Sequence, residues 1–395
     1  MARLGRVTVE ALVLHYGRDE LLRRLGDPFW FQSLGCVMGM DWHSSGITTS
    51  VMGALRRGLS PVQRELGLYI CGGRGRFSRQ TPQELVAAGE RLGLDGDGLA
   101  RTSRLVAKVD SAAVQDGFEL YLHSFVLAAD GRWAVIQQGM NTGRRQARRY
   151  HWLSEGLRSF VEAPHRGIEG PPQGEIINLT DRRAGPARRA QVELARGGPD
   201  RVVNELRHLR MPAHHDVRYT DVMLRRLHGA LAAASGLGPS DFEALLLTPG
   251  LGARTVQALA LVSEVIHGAP SRFDDPARFS FAHGGKDGHP FPVPLRVYDQ
   301  TLTVLRRAVE QARLGNEERL EALRRLDQQA RLAERWQRGG PGLAEIVGRE
   351  RATAHLHGGR TVAGPARRPP APRPSPRGEQ LTLPGLGPGR GARSS

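Results

Sequence analysis

The stretch FELYLHSFVLAADGRWAVIQQ, Phe118 to Gln138, decides the fold class, because here the apolar pattern takes a period of two. Alternation of this kind marks β-strands, whose successive side chains point to opposite faces. Phe118–Ala128 and Trp133–Gln138 are read as two strands around Ala129-Asp130-Gly131, a hairpin turn signal. Both flanks carry helical spacing instead. Glu10 to Leu25 opens as a helix before a Gly-rich apolar run, Phe29 to Gly39, and Thr81-Pro82-Gln83-Glu84 starts a capped helix after the basic loop Gly72–Arg79. Helical segments follow at Val202–Leu209, Thr220–Ala234 and Val297–Leu314.

The expected fold is therefore α+β. A mixed N-terminal domain spans 1–190 and ends in a Pro/Gly/Arg-rich connection at 170–190. An all-α domain spans 191–315, and a single helix at 316–338 carries leucines amid many charges, solvated or partner-facing. The remainder, 339–395, is too rich in Pro, Gly and Arg to bury a core and is expected to be disordered.

Inside the helical part, TPGLGARTVQALALVSEVIHG, Thr248 to Gly268, has the layout of a helix-hairpin-helix DNA-binding module at 240–268. Ser240-Asp241-Phe242-Glu243 reads as a capping box for its first helix. Val256, Leu259, Ala260, Val262, Val265 and Ile266 keep helical spacing along the second, which Gly268 closes. Gly250 and Gly252 permit a tight turn that can approach another chain without a Cβ in the way. The second helix then aims unpaired N–H groups and its positive dipole end at a phosphate, a contact to backbone rather than to bases. Gly250, Leu251, Gly252, Arg254 and Thr255 are the expected contacts.

Composition agrees with a polyanionic partner. The chain has 395 residues and a formal net charge of +16. Part of that surplus lies in residues 356–395, which hold seven arginines and one glutamate. Cys36 and Cys71 are the only cysteines, so neither a disulfide framework nor a cysteine-based zinc site is available. With no 18-residue apolar run and no signal peptide, a soluble, cytoplasmic protein is expected. Of 56 basic residues only Lys108 and Lys286 are lysine, and each lies near an aspartate, Asp110 and Asp287. Where arginine serves as the general cation, a surviving lysine suggests a need for a compact charge whose pKa can shift.

The densest polar cluster surrounds the hairpin. Lys108, Asp110, Gln115 and Asp116 precede it, alternation places Glu119, Tyr121 and His123 on one face of its first strand, and its second strand ends Gln137-Gln138. Carboxylates bind a hard cation through oxygen, so Asp110, Asp116 and Glu119 are the expected ligands of Mg²⁺ or Mn²⁺. Lys108 would offset transition-state charge, and Gln138 or His123 would orient the attacking water. The common nuclease core places a lysine two residues after a carboxylate or Gln on the second strand, and none stands there. Asp41 and His43 have spacing suited to a metal or to a packed turn, and His151 and His165 read as core or surface residues. In Phe281–Pro290 three glycines and Lys286 could form a phosphate nest, with Gly284, Gly285 and Lys286 as contacts. His283, Asp287 and His289 could instead bind a metal, or the loop could be a structural turn. Gln380 to Leu386 resembles the Gln-Leu-x-Leu peptides that dock on the replication sliding clamp, with Pro384-Gly385 where an aromatic is favoured.

Four segments together resemble domain-of-unknown-function family 763 of bacteria and archaea: Met40–Gly46, Ser103–Asp110, Trp133–Asn141 and Phe281–Pro290. The resemblance covers about residues 1–315 and implies a DNA-associated protein, with nucleases among the members, but assigns no catalytic residue. The residues lead to a divalent-metal-dependent DNA phosphodiesterase of repair or processing. A non-catalytic, architectural DNA-binding protein that recruits repair or replication factors is the alternative, and an RNA-directed protein a third. DNA, the sliding clamp and further copies of the chain, as a homo-oligomer, are the expected partners.

Overall fold

Strands that are apolar on both faces need cover on both faces, and the helices of this chain divide accordingly. The computed structural model describes residues 1–41, 44–208, 224–278 and 295–337, with Ala352 and the short strand pair at 360–361 and 364–365. Three helices come first, α1 (Ala2–Leu25), α2 (Pro28–Val37) and α3 (Ile47–Leu59), then a single turn, α4 (Gln63–Leu66), and the strand β1 (Leu68–Arg74). Next are α5 (Arg76–Leu92), α6 (Gly96–Lys108) and a π-helical turn, Val109–Ala113, leading to β2 (Val114–Gln115). The sheet strands β3 (Glu119–Ala128), β4 (Trp133–Asn141), β5 (Gln146–Leu153), β6 (Gly167–Glu169) and β7 (Glu175–Asn178) follow. Helices α7 (Gly185–Arg196), α8 (Pro199–His208), α9 (Leu224–Leu237), α10 (Phe242–Leu246) and α11 (Ala253–His267) precede β8 (Arg272–Asp274), α12 (Leu295–Gln311) and α13 (Asn316–Gln337).

The main sheet has five strands in the order β1-β3-β4-β5-β6, each antiparallel to its neighbour. Alternation sends Tyr69, Cys71, Phe125, Leu127, Val135, Tyr150 and Trp152 into one core, and Leu68, Val126, Ala128, Ala134, Ile136 and Leu153 into another. On the first face lie α5, α6, the π turn and helices α7–α11, and on the second α1–α3 with α12 and α13. The result is a helix–sheet–helix sandwich. Burying each large side chain of this kind contributes about 1.5–3 kcal/mol, which gives both layers a comparable hold on the sheet. A small sheet, β2-β7-β8, hangs beside the first core.

Several elements depart from the expectations. α1 starts at Ala2 rather than at Glu10, and Gly17 breaks it at φ 81°, ψ 168°. The apolar run after Phe29 is α2, opened by Pro28 and capped by Asp27, whose side chain accepts from the Trp30 N–H at 2.9 Å. α5 opens at Arg76, before Thr81-Pro82, so Pro82 sits within it. Proline removes the donor that Ser78 O would have received, and the Thr81 hydroxyl donates there instead, at 2.9 Å. Residues 170–190 hold β7 and the start of α7 rather than a connection alone. Position 190 lies inside α7, within a core that runs from Tyr69 to Phe273. The last helix is not solvated throughout, although Leu320 is 50% exposed. Ala322 and Leu326 are buried with Leu305 and Val309 of α12 against the first helices.

Candidate nucleic-acid interface

α10 and α11 stand either side of the turn Leu247–Gly252. Asp241 caps α10, accepting from the Ala244 N–H at 2.8 Å, so the cap falls one residue after Ser240. Gly250 has φ +77°, in the left-handed region, and both Gly250 and Gly252 face open space where a Cβ would project. Gly252 is the N-cap of α11, and no side chain caps that end. Three carbonyls at the start of α11 are engaged within the protein. Leu251 O accepts from Lys108 Nζ, Ala253 O from Gln115 Nε2 at 2.9 Å, and Gly252 O from the Val256 N–H at 3.1 Å. Among the turn's own donors, the Leu247, Thr248 and Leu251 N–H groups bond Glu243 O, Leu245 O and Thr248 O at 3.2, 3.0 and 3.1 Å. Of the expected contacts, Gly250 and Arg254 are exposed. Leu251 (1% exposed) and Thr255 (6%) instead anchor the turn in the core. Gly284, Gly285, Lys286, His283, Asp287, His289, His43 and Gln380–Leu386 lie outside the described residues.

Lys108 therefore has a different neighbour from the one expected. It sits at the end of α6, half-buried, with its pKa lowered by burial, and holds the hairpin turn rather than a carboxylate cluster.

Asp110 is fully buried in the π turn. Its Oδ1 accepts from His165 Nε2 at 2.5 Å, and its Oδ2 accepts from Trp152 Nε1 at 2.9 Å and from the Gln137 amide. Because the Gln137 nitrogen faces Asp110, its oxygen accepts from His123 Nδ1 at 2.7 Å, and His123 Nε2 receives the Ser103 hydroxyl at 2.8 Å. Burial lowers the His123 pKa, consistent with this neutral tautomer. The order Ser103–His123–Gln137–Asp110–His165 has the sense of a nucleophile–base relay, but Ser103 is 1% exposed between α6 and the sheet. The network closes on itself and pins α6, the π turn and the loop at His165 to one sheet face.

Gln138, the expected orienting residue, points to the other face, where its amide donates to Ser45 O at 3.0 Å. Its neighbour Gln137 has the connecting role. Glu119 also leaves the cluster. A bulge between Leu120 and Leu122 exchanges the faces, so Leu120 packs on the first core and Glu119 is exposed on the opposite side from His123. Asp116 is buried and accepts from Arg148 Nη1 at 2.8 Å, the Tyr150 hydroxyl at 2.7 Å and the Phe118 N–H at 3.1 Å. Asp110, Asp116 and Glu119 thus do not converge, and two of them spend their oxygens on protein donors. Among the described residues no group of three or more His, Cys, Asp or Glu is placed to hold a metal ion.

Arg148 and Arg149, adjacent on β5, go to opposite cores. The Arg148 side chain is 0% exposed and bonds Asp116, both oxygens of Asp275 (3.0 and 2.6 Å) and Pro171 O at 2.6 Å, over the Phe118 ring. Burial works against its charge, but the two carboxylates outweigh it and raise its pKa. Asp275 lies just after β8, so this triad ties the segment beyond α11 to the sheet. On the far side Arg149 donates to His151 Nε2 at 2.8 Å and Gln32 Oε1 at 3.0 Å, and His151 Nδ1 donates to Leu25 O at 2.8 Å. Burial, then the Arg149 charge, hold the His151 pKa well below its usual value.

A third feature is the loop after β1. Gly72 is wedged by packing, since a Cβ there would meet His123 O at 2.3 Å. Its N–H donates to Glu84 Oε2 at 2.8 Å, and its carbonyl accepts from Arg56. Beyond it Arg74, Arg76 and Arg79 are exposed. The Phe77 ring is 41% exposed, and the Arg56 and Arg76 guanidinium groups each stand 5.1 Å from its centroid.

Helices on both faces of an antiparallel sheet, with buried networks joining them to it, define the architecture. Residues 1–293 match the family model described as a protein of unknown function, DUF763, and the chain belongs to that family. No curated protein and no solved structure matches the chain. No described helix is long and apolar enough to cross a membrane.

Proposed function

We propose that this protein binds DNA through its phosphate backbone, using α10, the Gly250–Gly252 turn and α11 as a helix-hairpin-helix grip. The observation that carries this reading is the start of α11: no side chain caps it, the two glycines before it have free space beside them, and Lys108 and Gln115 brace it through Leu251 O and Ala253 O. Such an end attracts an anion through both its N–H groups and its dipole. The described residues then have a non-catalytic, scaffold role. The carboxylates suggested for a metal-dependent phosphodiesterase serve buried structural networks, which argues against that chemistry at Asp110 and Asp116.

Fluorescence anisotropy with a labelled duplex over a salt series tests this. Gly252→Val places a side chain in open space on the protein side, so the fold should persist while duplex affinity falls for every sequence tried. For every phosphate the variant no longer neutralises, the salt slope should flatten by about 0.9. Unchanged affinity and slope in a folded Gly252→Val protein would remove the grip. Mg²⁺- or Mn²⁺-dependent cleavage by the wild type, lost in Asp110→Asn without loss of stability, would restore the phosphodiesterase reading.

A further inference from the structure

The loop Gly72–Arg79 is not used by the hairpin grip, yet it lies at the same end of the molecule. α5 and α6 are joined by the short link Gly93–Asp95, with Gly89 and Gly96 in close contact, so they run antiparallel. The end of α6 therefore returns to the level at which α5 begins, and there Lys108 meets Leu251 of the hairpin turn. Both signs occur along this helical pair, with Arg91 beside Glu90 at its far end. Arg74, Arg76, Arg79 and Arg104 are exposed at the near end, with no carboxylate partner among the described residues. Glu90, Asp95 and Asp97 sit at the far end.

A cleft adjoins the loop. In the β1–β3 ladder Gly67 O and the Gly75 N–H bond β3 residues, which assigns the odd-numbered residues to that side. Leu68, Ile70 and Gly72 then turn their N–H and C=O groups to the open edge. Gly72 is satisfied by Glu84 and Arg56, whereas Leu68 and Ile70 face a cleft of about 310 Å³ between α3 and α5. Tyr69, Gln63, Glu84, Arg56 and Arg91 also line it. Arg56 is common to both features, since it lines the cleft and its guanidinium stands 5.1 Å from the Phe77 ring centroid.

We propose that the Gly72–Arg79 loop and the cleft at the β1 edge bind single-stranded nucleic acid. Loop arginines hold its phosphates, the Arg76–Phe77 stack supports one base, and the cleft offers backbone and side-chain groups to the edge of the next. A basic track beside an aromatic platform is the general means of holding single strands, and guanidinium planes stack on bases as aromatic rings do. The placement rests on the hairpin reading only in making the two surfaces parts of one site, which would select a duplex carrying an unpaired extension.

The full-length protein is titrated into three labelled DNAs: a blunt duplex, the same duplex with a single-stranded extension of roughly ten nucleotides, and the extension alone. The tailed duplex should bind more tightly than the blunt one, and Phe77→Ala should remove roughly tenfold of that advantage. Arg76→Glu, at an exposed position without a role in the core, should do the same while thermal unfolding stays unchanged. Neither substitution should alter blunt-duplex affinity, whereas Gly252→Val should lower it and leave binding of the free extension intact. If both loop variants retain the full advantage of the extension, or the wild type shows none, the proposal is overturned. If only the Gly252→Val result fails, the hairpin reading falls and the loop site stands.

Discussion

Replacing Asp110 separates a structural carboxylate from a catalytic one, because the two roles make opposite demands on stability. Asp110 accepts three hydrogen bonds in a fully buried setting, from His165, Trp152 and Gln137. In Asp110→Ala all three donors lose their acceptor. The Trp152 N–H and the Gln137 N–H aimed at Asp110 are then left without an acceptor, although Gln137 Nε2 keeps its bond to Val106 O at 3.4 Å, and each buried unmatched donor costs about 1–3 kcal/mol. His165 can change tautomer and escape part of its share. The sum is a loss of about 3–5 kcal/mol, and a drop in Tm of about 2 °C for each kcal/mol in a unit of this size. Asp110→Asn should cost less, about 1–3 kcal/mol, since its amide oxygen can keep Trp152 and Gln137 while its NH₂ faces a His165 nitrogen that accepts. Urea unfolding followed by tryptophan fluorescence measures both. A metal ligand facing a site would behave otherwise, because removing clustered negative charge commonly leaves the apo fold as stable or more so. An Asp110→Ala protein within about 0.5 kcal/mol of the wild type, the scatter of a neutral surface change, would refute the structural assignment.

Four other outcomes follow from the geometry. Arg148→Ala strands Asp116 and Asp275 without their cation and should cost about 3–5 kcal/mol, read from urea midpoints; Arg148→Ala with Asp116→Asn should recover part of it. His123 and His151 have pKa values lowered by burial, so the unfolded chain takes up protons first as pH falls. Their stability is complete above the ordinary value of about 6.5 and is lost below it, by up to about 1.4 kcal/mol per pH unit for each, so midpoints at pH 7.5 and 5.5 should differ accordingly. Cys36 and Cys71 are buried, with thiols pushed up to about 12 by burial, and should resist alkylation at pH 8 until urea unfolds the chain, when both react together in mass spectra. Gly72→Ala, at φ +84° and against His123 O, should destabilise by more than about 2 kcal/mol, whereas Gly252→Ala should change thermal unfolding little.

What is legible in the sequence follows from where periodicity survives. The β3–β4 hairpin is readable because apolar side chains alternate into two different cores, and α11 from its glycine-bounded apolar run, although Ala258–Ser263 are buried on every side and Val265 and Ile266 of the expected stripe are exposed. α2 is not readable as a helix. All ten of its residues are buried, so no polar face remains to set a period. The candidate site departs from expectation in two instructive places. Counting by twos from His123 backwards to Glu119 crosses a bulge at Tyr121 that no composition signal marks, and the choice of Gln138 over Gln137 reverses the face. The burial of Arg148 has no local signal, because its partners Asp116 and Asp275 lie 32 and 127 residues away. The rarity of lysine does single out Lys108, but as the prop of the hairpin turn. The loop Gly72–Arg79 reads as basic, and nothing in its composition assigns its aromatic a role.

The position of α12 and α13 has a consequence for synthesis. Val304, Leu305, Ala308, Val309 and Leu326 complete a core whose other members, from Val7 to Leu153, leave the ribosome far earlier. Until residues past 320 emerge, the outer face of α1 and α2 has nothing to cover it, and the nascent chain carries an unfinished greasy surface that invites chaperones. The family match stops at 293, before either helix begins. A chain cut there would contain the whole matched span and still lack the lid of its own second core. It should aggregate where the chain to 337 stays in solution.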